Sequence, residues 1–193
     1  IEKMFKVLAA VGIAGSTLIF VLAEPLTIWI YAGRFNDSAP ILMIVAWLLA
    51  FECMSFALGD ILTTTNRQWQ RTVIQGSALL ILFLLIVVLF PGYGIYGAAY
   101  AVILVEAFIF LCYYIIVRKK VYKIRLLRQL PATGIAAVVM GLCAWALQSY
   151  HPVLAAAAAG SVFLVLIAIL DKDFRKIGRY AVAQVLQMLH LKR

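Results

Sequence analysis

Six long runs of apolar residues, separated by short polar connectors, organise the chain. They extend over about 7–30, 40–65, 72–90, 95–117, 130–148 and 152–170. A helix of about 20 apolar residues matches the roughly 30 Å hydrocarbon layer of a bilayer. No stretch alternates apolar and polar residues as a half-buried strand does. Backbone groups in hydrocarbon must find their partners within the segment, so each run is expected to be a membrane-spanning helix. Short connectors make successive helices antiparallel neighbours. Pro40 stands at a helix start, where its missing N–H costs nothing. From Asp171 to Arg193 the pattern becomes polar, with Phe174, Ile177, Ala181, Val185 and Leu189 recurring at helical spacing. Arg175, Lys176 and Arg179 crowd the opposite side, as in an amphipathic helix lying on a membrane surface. A protein-docking helix is the alternative. The expected architecture is therefore an all-α polytopic membrane protein: a six-helix transmembrane domain over 1–170 and an amphipathic tail over 171–193.

Composition narrows this further. Apolar residues make up 66% of the chain, charged residues 13%, and the mean hydropathy is +1.04. Those values exclude a water-soluble globular domain, a disordered chain and a collagen-like chain. The net charge of +9 raises nucleic-acid binding, which needs a water-exposed basic face. Here the basic residues instead cluster at the ends of the apolar runs, so no nucleic-acid partner is expected. All of the 17 Lys and Arg residues except Arg34 fall on one side of a six-span topology. Basic loops stay in the cytoplasm, which puts both ends of this chain inside. Trp29, Tyr31, Tyr93, Tyr96, Trp145 and Tyr150 fall near the outer boundary, and Trp69, Tyr122 and Tyr180 near the inner one, as interface anchors do. Cys53, Cys112 and Cys143 lie in three different spans without metal-ligand spacing, and read as small buried residues. No metal and no cofactor is expected. The chain opens on Ile1, and no small-residue cleavage site follows the first run. It is read as an internal or C-terminal piece of a longer protein.

The acids within the spans carry the functional signal. A carboxylate at the bilayer centre costs about 2.5–3.5 kcal/mol on insertion scales, so it usually faces a cavity, a partner or a path. Glu24, Glu52, Asp60 and Glu106 are in this position, and no Lys or Arg lies deep in a span. These acids are expected to be protonated, hydrated in a cavity, or paired with a helix outside this chain. In the second span, Ser55, Gly59, Thr63 and Asn66 fall within roughly 60° of Glu52 around the helix, with Asp60 at the stripe's edge. This polar face reads as the lining of a water-filled translocation path. A helix-packing seam is the simpler alternative for its small residues. Glu106, amid Val102, Ile103, Ile109 and Phe110, reads either as a proton, cation or cargo site or as a neutral acid bonded to a neighbouring helix. Glu24 and Pro25 suggest a hinge at an outer gate, or a tolerated kink with its carboxylate at the interface. Arg67 and Arg71 sit at the cytoplasmic mouth of the stripe, where a guanidinium could hold a phosphate headgroup bidentately. Plain anchoring to the inner surface is the simpler reading, since every cytoplasmic connector is basic. Phosphate loops, zinc-protease motifs and nucleophile elbows are lacking, so no enzyme is expected.

Three stretches, in order, resemble the C-terminal half of polysaccharide flippases, the Wzx-like branch of the MOP exporter superfamily. The first is Ala23-Glu24-Pro25-Leu26-Thr27-Ile28-Trp29-Ile30-Tyr31-Ala32-Gly33-Arg34-Phe35, followed by Ser38 to Leu42. The second is Leu62-Thr63-Thr64-Thr65-Asn66-Arg67. The third and most specific is the Pro91–Ala101 segment, in which Pro91, Gly94, Gly97, Ala98 and Ala99 carry the motif and Glu106 follows. The resemblance covers about residues 1–120. It implies that this chain is most of the second lobe of a two-lobed, alternating-access transporter of the bacterial cytoplasmic membrane. It further implies a polyprenyl-diphosphate-linked oligosaccharide as substrate, for lipopolysaccharide or exopolysaccharide biosynthesis. The missing N-terminal lobe, membrane lipids and polysaccharide assembly proteins are the implied partners. With no basic residue deep in these spans, the diphosphate-holding role would fall on the other lobe. A cation-coupled drug antiporter of the same superfamily and a non-transporting structural membrane subunit remain as alternatives.

Overall fold

The computed structural model describes residues 2–32, 38–121, 130–148, 151–170 and 174–175. Six α-helices account for almost all of them: α1 (Glu2–Tyr31), α2 (Ala39–Thr64), α3 (Gln68–Tyr93), α4 (Ile95–Lys120), α5 (Leu130–Leu147) and α6 (Pro152–Leu170). Five are long and apolar enough to cross a membrane; α5, with 18 residues, is shorter. The amphipathic tail expected over 171–193 lies outside the described residues, apart from Phe174 and Arg175. Arg175 donates from Nε to the carbonyl of Ala168 and from Nη2 to that of Ile169. It thereby satisfies acceptors that the end of α6 leaves open.

Helix α1 is the shared wall of two apolar cores. On one side Phe5 and Ala9 pack with Met54, Leu58 and Leu62 of α2, Ile74 of α3, and Tyr113 and Val117 of α4. On the other, Ala10 and Leu22 pack with Ala137 and Met140 of α5 and Ala159 and Phe163 of α6. Alanine recurs through both cores because lipid supplies no hydrophobic drive between helices, so association rests on close approach. Helix α3 is the most peripheral of the first four. Only Ile74 and Ala78 are buried on it, whereas Leu79, Leu80, Phe83, Leu84 and Val88 are more than half exposed.

Two boundaries differ from those expected. Helix α3 starts at Gln68, four residues before Thr72, so Arg71 belongs to its first turn rather than to a loop. It also runs through Pro91 to Tyr93. Proline's fixed φ is compatible with a helix, and at the last turn it sacrifices a single backbone bond. The connector to α4 is thus Gly94 alone, with φ +56° and ψ −135°, a conformation open essentially to glycine. One turn later Gly97 lets α4 lie directly on α3. A Cβ there would stand 2.5 Å from the Leu89 carbonyl oxygen.

Candidate functional site

An open cavity of about 390 Å³ lies among α1–α4. Helix α2 contributes Glu52, Cys53, Ser55 and Phe56, and α1 contributes Leu8. Helix α3 adds Arg71 and Gln75, and α4 adds Glu106, Ile109 and Tyr113. Each helix presents these groups by its own period. Glu52, Ser55 and Phe56 are three and four apart, Arg71 and Gln75 are four apart, and Glu106, Ile109 and Tyr113 follow the i, i+3, i+7 rule.

The carboxylates of Glu52 and Glu106 interact electrostatically across this space. Toward the other end of the cavity, Arg71 lies over Gly59. A Cβ at Gly59 would be 3.3 Å from Arg71 Nε and 3.3 Å from Tyr113 Cε2, so the missing side chain makes room for the guanidinium and the phenol ring. Arg71 Nη1 donates to Thr63 Oγ1 at 3.0 Å. Thr63 Oγ1 in turn donates to the Gly59 carbonyl at 3.0 Å. One further hydroxyl stands on the cavity wall without a partner: Ser55 Oγ is buried and makes no hydrogen bond, while the Tyr113 phenol lies beside the Arg71 guanidinium. A buried hydroxyl without a partner costs about 1–3 kcal/mol, so such groups mark places where a water or a solute completes the structure.

The structure therefore brings Glu52, Ser55 and Glu106 to one cavity, with Gly59 and Thr63 holding its arginine. Asp60 is half-buried beside this stripe and does not line the cavity; its carbonyl accepts from Thr64 Oγ1. Asn66 leaves the stripe, turning the chain into α3 with φ +58°. The two arginines separate. Arg67 shapes the turn, its carbonyl accepting from the Gln70 and Arg71 amides, while Arg71 enters the cavity. Arg71 thus shares the cavity with two of the span acids, although its hydrogen bond goes to Thr63 and not to a carboxylate. The physical reason is the early start of α3: an arginine in a first helical turn reaches sideways across a glycine on the neighbouring helix. Glu24 is exposed, and Pro25 lies within α1. They are 16 or more residues beyond Leu8, about 24 Å along the helix, and do not contribute to the cavity. Pro91, Gly94, Gly97, Ala98 and Ala99 build the α3–α4 hairpin rather than the cavity wall.

Tyr113 and Gln75 were not anticipated from sequence, although each shares a helical face with a residue that was. A second, apolar cavity of about 860 Å³ lies among α1, α2 and α5, between Trp47 and Trp145. None of the residues proposed from sequence lines it.

No protein-family model, curated protein or solved structure matches the chain. Any assignment therefore rests on the cavity's chemistry and on the resemblance carried by the three sequence stretches.

Proposed function

We propose that the chain forms one lobe of a flippase that carries polyprenyl-diphosphate-linked oligosaccharide across the bacterial cytoplasmic membrane by alternating access. In this reading all six helices span the bilayer, with both ends of the chain in the cytoplasm, and a partner lobe completes the path. The observation that carries the proposal is the polar cavity. Three ionisable side chains and the unpartnered Ser55 hydroxyl line one open space among otherwise apolar helices. Charge placed within membrane spans is costly and marks solute pathways in membrane proteins. The guanidinium supplies a fork suited to phosphate oxygens. The exposed apolar face of α3 suits lipid, and the resemblance of residues 1–120 supplies the substrate class.

The test is translocation of lipid-linked oligosaccharide into vesicles carrying the complete transporter. Glu52→Gln, Glu106→Gln and Arg71→Gln should each lower the rate at equal protein level. Unchanged rates in all three would leave a structural membrane subunit as the better description.

A cation-coupled antiporter is the second reading. It is favoured by the approach of Glu52 and Glu106 across one cavity, an arrangement suited to exchanging a cation. Collapse of the proton and sodium gradients distinguishes the two. A drug antiporter exports a cationic dye in exchange for the ion and ignores the oligosaccharide.

A further inference from the structure

The end of the cavity away from Arg71 has a chemistry of its own. Arg71 lies over Gly59, seven residues or about 10 Å along α2 from Glu52. At the far end Glu52, Ser55 and Phe56 occupy little more than one turn of α2. Glu106 of α4 is close enough to Glu52 for the two carboxylates to interact. Ser55 is 7% exposed, and its hydroxyl has no partner. Phe56 is 61% exposed, although it stands on the polar stripe, about 40° from Glu52 around the helix. Two acceptor-only carboxylates, an unanswered hydroxyl and an open apolar ring thus border one space.

A cation answers the carboxylates but leaves Phe56 unused. A hard cation also needs a close shell of oxygen ligands, and the cavity, at about 390 Å³, is far larger than an ion. Among the described residues, no three acidic, histidine or cysteine side chains gather to hold a metal. A pyranose ring answers the whole set. Its neighbouring hydroxyls donate to carboxylate oxygens in short, charge-assisted bonds. A sugar hydroxyl both donates and accepts, so Ser55 Oγ gains a partner whichever way its proton points. The C–H face of the ring is apolar and lies flat on an aromatic side chain. The cavity is at the lower end of small-molecule sites, about 300–1,000 Å³, which suits one ring rather than a chain of them. We propose that Glu52, Ser55, Phe56 and Glu106 form a subsite for one uncharged sugar ring bearing a vicinal diol. The paired carboxylates repel a uronic acid, so the subsite selects against acidic sugars. The inference rests on the flippase reading only in taking the sugar from the transported oligosaccharide. The binding itself is a property of these four side chains and does not call on Arg71.

The experiment is a ligand-observed NMR titration of the protein in phosphatidylcholine nanodiscs, with empty nanodiscs as the blank. The ligands are the methyl glycosides of glucose, galactose and mannose, each set against its uronic acid counterpart. At least one neutral glycoside should bind, and roughly tenfold more tightly than its uronide. Glu52→Gln and Glu106→Gln should each narrow that gap, because an amide accepts more weakly and does not repel the uronide. Phe56→Ala should weaken the neutral glycoside by about tenfold, and Phe56→Tyr should keep it. The ligands are compared first on the unaltered protein, so a variant that fails to fold leaves the test intact. No binding of any neutral glycoside, or uronides binding as tightly, overturns the inference. Displacement of the glycoside by sodium ions at constant ionic strength overturns it too, and makes the acids a cation site. Translocation of lipid-linked oligosaccharide without glycoside binding removes this subsite and leaves the flippase reading. Glycoside binding without translocation does the reverse.

Discussion

Arg71 and Arg67 are four residues apart and carry the same charge, yet the fold gives them different work. Arg67 turns the backbone; Arg71 reaches over Gly59 to Thr63 and the cavity. Arg67→Lys should therefore leave translocation unchanged, because its contribution is backbone geometry and positive charge. Arg71→Lys should lower the rate by about tenfold, since an ammonium lacks the fork that serves Thr63 and a phosphate together. Equal rates in the two variants, measured at equal protein level, would mean that neither arginine touches the substrate. Gly59 gives a graded counterpart. In Gly59→Ala the new methyl meets the movable Arg71 side chain and the buried Tyr113 ring, each at 3.3 Å, and should cost a little as both give way. Gly59→Leu fills the guanidinium's place and should behave like loss of Arg71. The polar stripe on α2 was legible in the sequence because its members share one helix, and helical period alone aligns them. The arginine over that stripe was not, because it arrives from another helix.

The helices themselves were read almost in full, since an apolar run of this length leaves the backbone few alternatives. Their ends were less legible. The third apolar run was expected to end at 90, before Pro91, but the last turn of α3 absorbs that proline, and the hairpin closes on Gly94 alone. The hairpin's packing makes a direct prediction. Gly97→Ala would force its methyl against the Leu89 backbone, so α3 and α4 must separate, at a cost of about 1–3 kcal/mol. Gly76→Ala, on the same hairpin, meets nothing within 4 Å and should be neutral or mildly stabilising, because alanine is the better helix former. Thermal unfolding in detergent separates them: the midpoint should fall for Gly97→Ala and hold for Gly76→Ala. Helix α5 tests the count of spans. Its 18 residues reach about 27 Å, a little short of the hydrocarbon thickness. If it crosses, inserting three leucines at its centre should leave α6 in its original orientation, as read by labelling a cysteine placed at His151 from outside.

Across the whole molecule, charge and packing answer different questions. The one-sided distribution of Lys and Arg predicts orientation, because it acts on each connector during insertion. A cysteine replacing Gly92 should react with an impermeant reagent from outside, and one replacing Gln68 only after the membrane is opened. Labelling at Gln68 in intact cells would reverse the topology. Fold class, helix number and the polar face of α2 are already written in the order of residues. Hydrophobic length and helical period are properties of a segment, and no neighbour is needed to express them. Which face meets which is another matter. That α1 divides two cores, that Gly94 folds α4 back onto α3, and that Glu52, Glu106 and Arg71 share one space all depend on how helices lie against one another. Those arrangements come from side chains that are distant in the chain, Gly59 beneath Arg71 and Gly97 beneath Leu89 among them. Close approach without a hydrophobic drive is decided by such individual fits, which no periodicity along a single helix can express.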